Sequence, residues 1–552
     1  METTLNMDAM NDYSWYAARQ FILAVALLSM AAPLSFAQST FDAGTSKGVY
    51  DPPNSEISGL AASRTSPGVL WAHADSGDSP RCYVLSDSAQ RLGTFNLIGA
   101  THTDWEDMDI GPGPEPGISY VYIGDIGDNG TSRCNVQVYR FPEPVMYTRY
   151  ASSPITKDLA DSTWDRITLV YPGVICIGST ELVGATNAET LMVDPRNGDL
   201  YIGSKTDSNF RLFRAPASSL VDGATVNTTE VANFNIGWRA TSGTIQRDGR
   251  EILVRGQIPN GGGGALVWWP IGNGQSIADA ISAPRINVPF QPESQGEAVS
   301  FDRNGDGYFT ISEGVAPPLW YMARTSKDGP TPLYMVLAPE SQWRYLDNGS
   351  DQGTAWRLPD FDDSTWSTGP AQLGYGDGDE QTVISYGSDS AAKYITSYYR
   401  TIFWRDAGVD FEDLYFRILY ESGAVVYING VEVYRGNLSS NPAATDLATA
   451  SRGAVKKAWY TGALDETLLV NGENTIAVEL HLSNPSEGDC SFDFQIEGRV
   501  ANRALVLSES VDEGGEVQTS PAPNAKGGER YLNGTSVSIN ALPANGYACL
   551  LY

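Results

Sequence analysis

Short runs of alternating apolar and polar residues, separated by tight turns, recur over roughly the first 340 positions. Five segments share one plan: a strand, a turn rich in Gly, Pro or Asp, a second strand, a polar loop and a third strand. The first strands of these segments read GLAAS (59–63), EDMDI (106–110), ETLMVD (189–194), SGTIQ (242–246) and EAVSFD (297–302). A fourth, weaker strand precedes most new units, as in ITLVYP (167–172), INVPF (286–290) and LYMVL (333–337).

Antiparallel four-stranded units that recur about every 45–55 residues are typical of a β-propeller, because one such sheet buries its two faces only between neighbouring units. We therefore predict a five-bladed propeller over residues 38–338. Six blades are the alternative, because the interval of 83 positions from Glu106 to Glu189 is long enough for a further blade or a long insert.

Residues 340–500 have a different pattern, with longer strands that alternate apolar and polar positions. Asn429-Gly430 separates AVVYI from VEVYR, which is a strong signal for a two-residue hairpin turn. The region is predicted to be a β-sandwich of the jelly-roll type. The whole chain is thus expected to be all-β.

The N-terminal segment has the features of a secretory signal peptide. Arg19 precedes the apolar run FILAVALLSMAA (21–32), which is followed by Ser35-Phe36-Ala37. Cleavage after Ala37 would give residues 1–37 as the signal peptide and an extracytoplasmic protein, in the periplasm, on the cell surface or in the medium; an uncleaved anchor is the alternative. No later segment is apolar over about 18 residues, so we expect no transmembrane segment in the mature chain.

Charge narrows the choice of partners. The 552 residues include 36 Lys and Arg against 66 Asp and Glu, a formal net charge of −30. Such a surface repels nucleic acid and anionic lipid, so nucleic-acid binding is excluded. A cation, a neutral sugar or simple solubility fits this charge better. The partners that we expect are a glycan or a small anionic or neutral ligand.

The repeat predicts that many charged side chains meet at one end of the propeller. In antiparallel sheets, the starts of first strands and the ends of second strands share one face. First-strand starts supply Asp104, Glu106, Asp107, Glu189 and Glu297. Second-strand ends supply His73, Asp75, Asp78, Asp125, Asp128, Lys205, Arg255 and Glu313.

Acids that converge in this way raise one another's pKa or recruit a cation. We expect Glu106, Asp107, Glu189 and Glu297 to be ligands of Ca²⁺. The alternative for each acid is that it only caps a turn or satisfies backbone N–H groups. Lys205 and Arg255 are either structural counter-ions or hold an anionic group of a ligand; the sequence leaves both open.

Other motifs give weaker evidence for a metal site or a disulfide. Asp302–Gly307, with Glu313 further on, matches the EF-hand pattern, but the flanking segments are strands and YFTISE would place Glu313 about 20 Å from the turn. The five cysteines show no metal-ligand spacing, and a Cys82–Cys134 disulfide stays open. In the second region, DGDE (377–380) is a candidate for structural Ca²⁺.

Several segments resemble known families. HADSGD, DWEDMDIGPGP, YIGDIGDN and QGEAVSFDRNGDGYFTISEG resemble a group of exported bacterial β-propellers without assigned activity and, more distantly, β-propeller phytases and esterase-like proteins. The dense Lys/Arg cluster expected around phytate is absent from the sequence, which counts against that substrate.

The second region also carries a resemblance. GAVVYINGVEVYRGN and LLVNGENTIAVELH resemble the galactose-binding-like jelly rolls of secreted bacterial hydrolases and sugar-binding proteins. This resemblance implies sugar binding, in which an exposed aromatic side chain would stack on a sugar ring. The candidates are Trp343, Trp356, Trp366, Trp404 and Tyr375. The alternative, which we expect for most of them, is that they belong to the core. Residues 501–552 resemble the start of a bacterial surface β-repeat that stops early, so we expect a truncated repeat.

Three functions are expected from these patterns. The first is an exported binding protein with an acidic, calcium-holding propeller mouth and a carbohydrate-binding-like accessory domain. The second is a metal-dependent secreted hydrolase of phosphoesters or carboxylic esters, in which the cation polarises the scissile group. The third is a structural surface protein.

Overall fold

The computed structural model describes most of the chain between Phe41 and Val500. The described ranges are 41–50, 56–75, 77–177, 181–183, 186–206, 209–259, 263–293, 295–325, 333–407 and 409–500, with the strands at 505–506, 515–520, 530–531 and 538–543. The predicted signal peptide lies outside them. In the described residues, no helix has the length and apolar character to cross a membrane.

The described structure is all-β, as predicted, and its first part consists of five sheets in which neighbouring strands are mostly antiparallel. The first sheet contains β2 (Ile57–Ala62), β3 (Val69–Ala74), β4 (Arg81–Ser86), β5 (Arg91–Leu97) and, parallel to β5, β9 (Ile155–Leu159). The second contains β6 (Trp105–Pro112), β7 (Ser119–Asp125), β8 (Val136–Pro142), β10 (Asp165–Val170) and, parallel to β10, β16 (Thr225–Asn227).

The other three sheets have four strands each. The third contains β13 (Ala188–Val193), β14 (Leu200–Ser204), β15 (Asn209–Ala215) and β17 (Thr229–Asn235). The fourth contains β18 (Arg239–Ile245), β19 (Glu251–Gln257), β20 (Gly264–Pro270) and β21 (Ile286–Asn287), with the short helix α1 (Ile277–Ile281) before β21. The fifth contains β22 (Gly296–Phe301), β23 (Gly307–Ser312), β24 (Pro318–Ala323) and the N-terminal strand β1 (Thr45–Val49).

The five first strands contact one another in a closed order. β2 packs against β6, β6 against β13, β13 against β18, β18 against β22, and β22 against β2. We call these five sheets the five-sheet region. The long interval between Glu106 and Glu189 supplies β9, β10 and a small hairpin of β11 (Ile175–Ile177) and β12 (Glu181–Val183).

A second region consists of two six-stranded sheets around one apolar core, and we call it the two-sheet region. One sheet has the order β29 (Thr382–Val383), β28 (Leu373–Tyr375), β36 (Cys490–Val500), β31 (Phe411–Leu419) and β34 (Tyr460–Ala463), with β25 (Leu333–Leu337) also paired to β36. The other has the order β27 (Ser367–Pro370), β26 (Gln342–Leu346), β30 (Thr396–Arg405), β35 (Gly472–His481), β32 (Gly423–Ile428) and β33 (Val431–Gly436).

Two details of this region bear on the sequence predictions. Asn429 and Gly430 both have positive φ, of 50° and 82°, as the hairpin between β32 and β33 requires. The expected fourth strand LYMVL (333–337) was assigned to the wrong region, because as β25 it pairs with β36. Its expected place at the edge of the fifth sheet is taken by β1, which pairs with β24. The boundary between the regions therefore precedes Leu333.

The two regions touch through apolar and polar contacts. Leu419 and Trp459 of the two-sheet region belong to a buried cluster formed mainly by the first two sheets. Tyr147 donates a hydrogen bond to Asp493 (2.9 Å), and Gln495 donates one to the carbonyl of Thr65 (2.9 Å). Beyond Val500, β37 (Leu505–Val506) pairs with β39 (Arg530–Tyr531), and β38 (Gly515–Ser520) pairs with β40 (Ser538–Pro543).

Candidate functional site

Each of the five first strands contains a break in register at the same place, near its start. The breaks lie between Ile57 and Gly59, Trp105 and Asp107, Ala188 and Thr190, Ala240 and Ser242, and Gly296 and Ala298. A β-bulge leaves one residue unpaired and re-aims its side chain. The residues skipped in this way are Ser58, Glu106, Glu189, Thr241 and Glu297.

These five bulge residues are all buried, and hydrogen bonds tie some of them to the neighbouring sheet. The Ser58 hydroxyl donates to the carbonyl of Glu106 (2.5 Å), and the Thr241 hydroxyl donates to the carbonyl of Glu297 (2.9 Å). The closed order of the strands therefore brings three glutamates from three sheets to one place, which we call the acidic mouth.

Lys205 is the cation of the acidic mouth. It follows β14 and forms an ion pair with Glu189. Burial disfavours the charged amine, but Glu189, Glu297 and Glu106 outweigh burial and raise the pKa of Lys205. The Glu297 carboxylate in turn accepts a hydrogen bond from Gln257 (2.6 Å). Of the two roles left open for Lys205, the counter-ion is the one that these contacts describe.

Asp75, Asp104 and Glu106 form the tightest acidic group of the mouth. One carboxylate oxygen of each lies within 4.8 Å of the other two. Glu106 is only 3% exposed, and its Oε1 has no hydrogen-bond partner among the described residues. A buried acceptor without a donor is costly, so this oxygen is suited to a cation or a ligand donor. The group can therefore hold a metal ion.

The lack of a side chain at Gly127 makes space for this acidic group. A Cβ at position 127 would overlap both the Glu106 and the Asp104 carboxylates. The second glycine of GDIGDN is thus explained by the close approach of two acids.

Burial and mutual repulsion shift the titration of these acids. Burial, followed by the charges of Glu189, Asp75 and Asp104, raises the pKa of Glu106 well above its usual value. Burial raises the pKa of Glu189 to about 8, although Lys205 opposes the shift. Burial, with Glu297, Glu56 and Asp75, raises the pKa of Glu313 to about 8. The mouth therefore takes up protons near neutral pH.

Asp107, expected as a calcium ligand, does not join this group. Its carboxylate accepts hydrogen bonds from the backbone N–H groups of Leu191 (2.9 Å) and Gly243 (3.0 Å) and from the Ser242 hydroxyl (3.0 Å). It thus links the third and fourth sheets to the second. Successive side chains of a strand point to opposite faces, so Asp107 points away from the side of Glu106, the residue that stands in the bulge.

Several other expected site residues are engaged elsewhere. Asp78 binds Arg81 and Tyr83. Asp125 accepts from Arg133 (2.8 Å), and Asp128 accepts from the backbone N–H groups of residues 132 and 133, so both acids hold their loop together.

Arg255 and His73 also have structural contacts. Arg255 pairs with Glu293 and donates to the carbonyls of Ala298 (2.8 Å) and Ile311 (3.1 Å). The His73 ring packs edge-on against Trp105, and burial lowers its pKa to about 4, so it is neutral at pH 7.

A cavity of about 450 Å³ adjoins the mouth between the fourth and fifth sheets. Its walls include Arg239, Gln257, Phe290 and Glu293. Gln257 connects the cavity to the mouth through its hydrogen bond to Glu297. The side chain of Glu293 is 4% exposed, and its Oε1 has no hydrogen-bond partner among the described residues. Volumes of this size are typical of small-ligand sites.

The sequence patterns did not single out Ser58, Thr241, Gln257 or Glu293. Ser58 and Thr241 could have been predicted from the sequence, because they occupy the same position in the repeat as the three glutamates. Gln257 and Glu293 carry no comparable signal, since their role depends on contacts between sheets.

The other predicted calcium site, DGDE, keeps the acidic grouping that a cation needs, because one carboxylate oxygen of each of Asp377, Asp379 and Glu380 lies within 4.8 Å of the other two. Protein contacts also engage parts of this group, and they occupy the EF-hand-like turn. Around DGDE, Asp377 pairs with Lys457, and Glu380 accepts from the N–H groups of Asp377 (2.9 Å) and Gly378 (2.9 Å). Asp302 accepts from three backbone N–H groups of its own turn, and β23 separates that turn from Glu313.

The cysteine pairing differs from the one left open by the sequence. Cys134 forms a disulfide with Cys176, with the Cα atoms 5.9 Å apart, while Cys82 is a buried free thiol. The interval that carries Cys176 folds back beside the loop after β7, which sequence spacing does not reveal.

The aromatic candidates of the two-sheet region fall into two groups. Trp343, Trp356, Trp366 and Tyr375 are buried and belong to apolar clusters. Trp404 is different, because 66% of its surface is exposed.

No family model and no curated protein matches this chain. Among solved structures, it is similar to a luciferin-regenerating enzyme (TM-score 0.26, 11% identity, covering 51% of this chain and 95% of that one). It is also similar to a β-glycosidase from Bacteroides vulgatus (TM-score 0.21, 13% identity, 38% and 28% covered) and to Raptor from Chaetomium thermophilum (TM-score 0.29, 11% identity, 59% and 33% covered). Similarity at this level carries no information about function.

Proposed function

We propose that the five-sheet region is a five-bladed β-propeller and that the two-sheet region is a jelly roll. The closed order of the five first strands supports the propeller, because circular repetition is what brings the first and last sheets into contact. Strand β1, which completes the fifth sheet from the other end of the region, supports it further. The resemblance of sequence segments to exported bacterial propellers and to galactose-binding-like domains is in line with this proposal.

On this fold, the function that the site supports best is that of an exported binding protein whose mouth holds Ca²⁺. The observation that carries this conclusion is the buried Glu106 Oε1, which lies beside Asp75 and Asp104 and has no hydrogen-bond partner in the described part of the chain. Carboxylate oxygens are the ligands that Ca²⁺ prefers, and a set without imidazole or thiolate disfavours zinc and copper. The Cys134–Cys176 disulfide supports export, because such bonds persist in oxidising compartments.

The cavity beside Glu297 is the place for an organic ligand. It offers Phe290 as an apolar wall, Arg239 and Gln257 as donors, and Glu293 Oε1 as an acceptor. A small polar molecule with hydroxyl or amine donors fits this set better than a polyanion, because acids outnumber cations at the mouth.

Thermal unfolding of the full chain with and without Ca²⁺ tests the metal site. A ligand that binds only the native state adds about 2.7 kcal/mol at one hundred times its dissociation constant. We expect Ca²⁺ to raise the Tm of the wild type and to have no effect on Glu106→Gln. Glu432→Gln, at the exposed start of β33, should respond like the wild type. A wild type whose Tm is independent of Ca²⁺ would overturn the proposal.

A metal-dependent hydrolase is the second candidate, and the raised pKa values favour it. Glu189 and Glu313, each with a pKa of about 8, can exchange protons near neutral pH beside a cation that polarises the substrate. A panel of phosphomonoesters, phosphodiesters and acyl esters, assayed with Ca²⁺ and with EDTA, tests this. Turnover that requires both Ca²⁺ and Glu189 supports hydrolysis, whereas no turnover on any substrate rejects it.

A further inference from the structure

The outer face of one sheet in the two-sheet region is covered over only half of its area. Trp356, Trp366 and Phe361, from the segment before β27, pack on the half that contains Tyr398 and Tyr427. On β30, side chains two positions apart share a face, so Ile402 and Trp404 continue the outer row that begins with Tyr398. Ile402 is 57% exposed and Trp404 is 66% exposed. This uncovered half therefore presents two large apolar side chains to solvent.

A groove of about 810 Å³ runs beside this face. Ile402 lies in its wall, together with Phe361 and Pro359 of the covering segment. Glu473, which also lines the groove, is the cross-strand neighbour of Trp404. Trp404 is not itself part of the lining, and it lies beside the groove on the same face as Glu473. The volume lies within the range of sites that bind organic ligands.

The charges around the groove balance, unlike those of the protein as a whole. Arg344 and Arg400 both contact Asp363, at 3.2 Å and 2.8 Å. With Glu473, the groove has two cations and two anions, in a chain whose net charge is −30. Polar groups of Gln342, Thr368 and Thr401 also line the groove. A polyanion or a polycation would find no complementary field here, whereas an uncharged ligand rich in hydroxyl groups would find donors and acceptors.

We propose that this groove binds a neutral glycan chain, with a sugar ring stacked on Trp404. The flat apolar face of a pyranose matches an exposed indole, and the hydroxyl groups at the ring edge match the neutral polar rim. The assignment rests on the proposal that the two-sheet region is a jelly roll that serves as a carbohydrate-binding-like accessory domain. It identifies the surface of that domain that would bind the carbohydrate. It does not depend on the cation in the mouth.

Native gels cast with single polysaccharides test the assignment on the full chain. The neutral probes are mixed-linkage β-glucan, xylan, galactan and arabinan, and the anionic probe is polygalacturonate. We expect at least one neutral polysaccharide to retard the wild type. Trp404→Ala should weaken that retardation roughly tenfold or more, since the stacked face is lost, and Trp404→Phe should restore part of it. Val221→Ala, another exposed apolar side chain but in the five-sheet region, should migrate like the wild type.

Each other outcome contradicts the glycan groove. Retardation by no neutral polysaccharide, retardation only by polygalacturonate, or retardation that Trp404→Ala leaves unchanged would each reject it. A wild type that sediments as a dimer, and becomes monomeric as Trp404→Ala, would show that the face pairs with a second copy instead. None of these results bears on the effect of Ca²⁺ on the Tm. The proposal of a glycan groove can therefore fail while the proposal of a Ca²⁺ site in the mouth stands, and the reverse.

Discussion

Arg247 of the five-sheet region donates a hydrogen bond to Glu497 of the two-sheet region, at 2.9 Å. Arg303 and Arg417 also pair with this carboxylate, the latter at 2.6 Å. Burial opposes ionisation, but Arg417, Arg303 and Arg247 together hold the pKa of Glu497 well below its usual value. A fully buried anion surrounded by three cations thus joins the regions on either side of the boundary.

Glu497→Gln should destabilise the protein by about 3–5 kcal/mol, because it leaves buried arginines without their counter-charge. Urea unfolding followed by tryptophan fluorescence measures the loss. Glu432→Gln is the control and should change the free energy of unfolding by less than about 0.5 kcal/mol. A similarly small effect of Glu497→Gln would show that the ion cluster does not hold the regions together.

The same cluster predicts a loss of stability in acid. The pKa of Glu497 is lower in the folded than in the unfolded state, so its contribution is present above the usual pKa of a glutamate and is lost as the pH falls below it. The difference in stability between wild type and Glu497→Gln should therefore shrink below about pH 4.5. A difference independent of pH in that range would contradict the assignment.

The mouth acids predict the opposite trend in the absence of cation. Their pKa values are higher in the folded state, so the stability that their protonated forms contribute is lost as the pH rises from about 4.5 to about 8. Ca²⁺ must displace these protons, and its effect on Tm should be larger at about pH 8.5 than at about pH 5.5. Melting curves in EDTA and in Ca²⁺ at both pH values measure this. Equal shifts at both would argue that Ca²⁺ binds elsewhere.

Lys205→Gln should bind Ca²⁺ more tightly than the wild type, roughly threefold to tenfold, because a cation near the site is removed. The same variant should be less stable in EDTA, since Glu189 loses its partner. Calorimetric titration gives the dissociation constant, and Lys157→Gln on exposed β9 should match the wild type. Weaker binding by Lys205→Gln would mean that Lys205 assists the cation or its ligand.

The Cys134–Cys176 disulfide should add stability by restricting the unfolded chain. With a sequence separation of 42 residues, the loop-entropy relation gives about 4 kcal/mol as an upper figure. Reduction should lower the Tm of the wild type but not that of Cys134→Ser/Cys176→Ser. Peptide mapping of the native protein should find Cys82 and Cys490 unalkylated, because both are buried. Ready alkylation of Cys134 without reductant would refute the pairing.

Local patterns predict much of this fold. The turn at Asn429-Gly430 and the paired first and second strands are determined by residues close in sequence, and repetition places Glu106, Glu189 and Glu297 at equivalent positions. The features that local patterns miss are set by pairing over long distances. The partner of Cys134 and the move of LYMVL to the other region are of this kind.

The two adjacent acids Glu106 and Asp107 show where grouping residues by their position in the repeat fails. Alternation places adjacent side chains on opposite faces of a strand, so two neighbouring acids do not both point into one site. Glu106 thus faces the mouth while Asp107 binds backbone N–H groups of neighbouring sheets. Trp404 is a simpler case, because a single sequence does not reveal which half of a sheet is covered.

Anomalous diffraction from crystals of the full chain soaked in a calcium salt tests the central claim most directly. We expect one strong peak at the mouth, about 2.3–2.6 Å from carboxylate oxygens of Asp75, Asp104 and Glu106. A map without a peak at these three acids, at a calcium concentration that raises the Tm in solution, would contradict the claim that the mouth holds Ca²⁺.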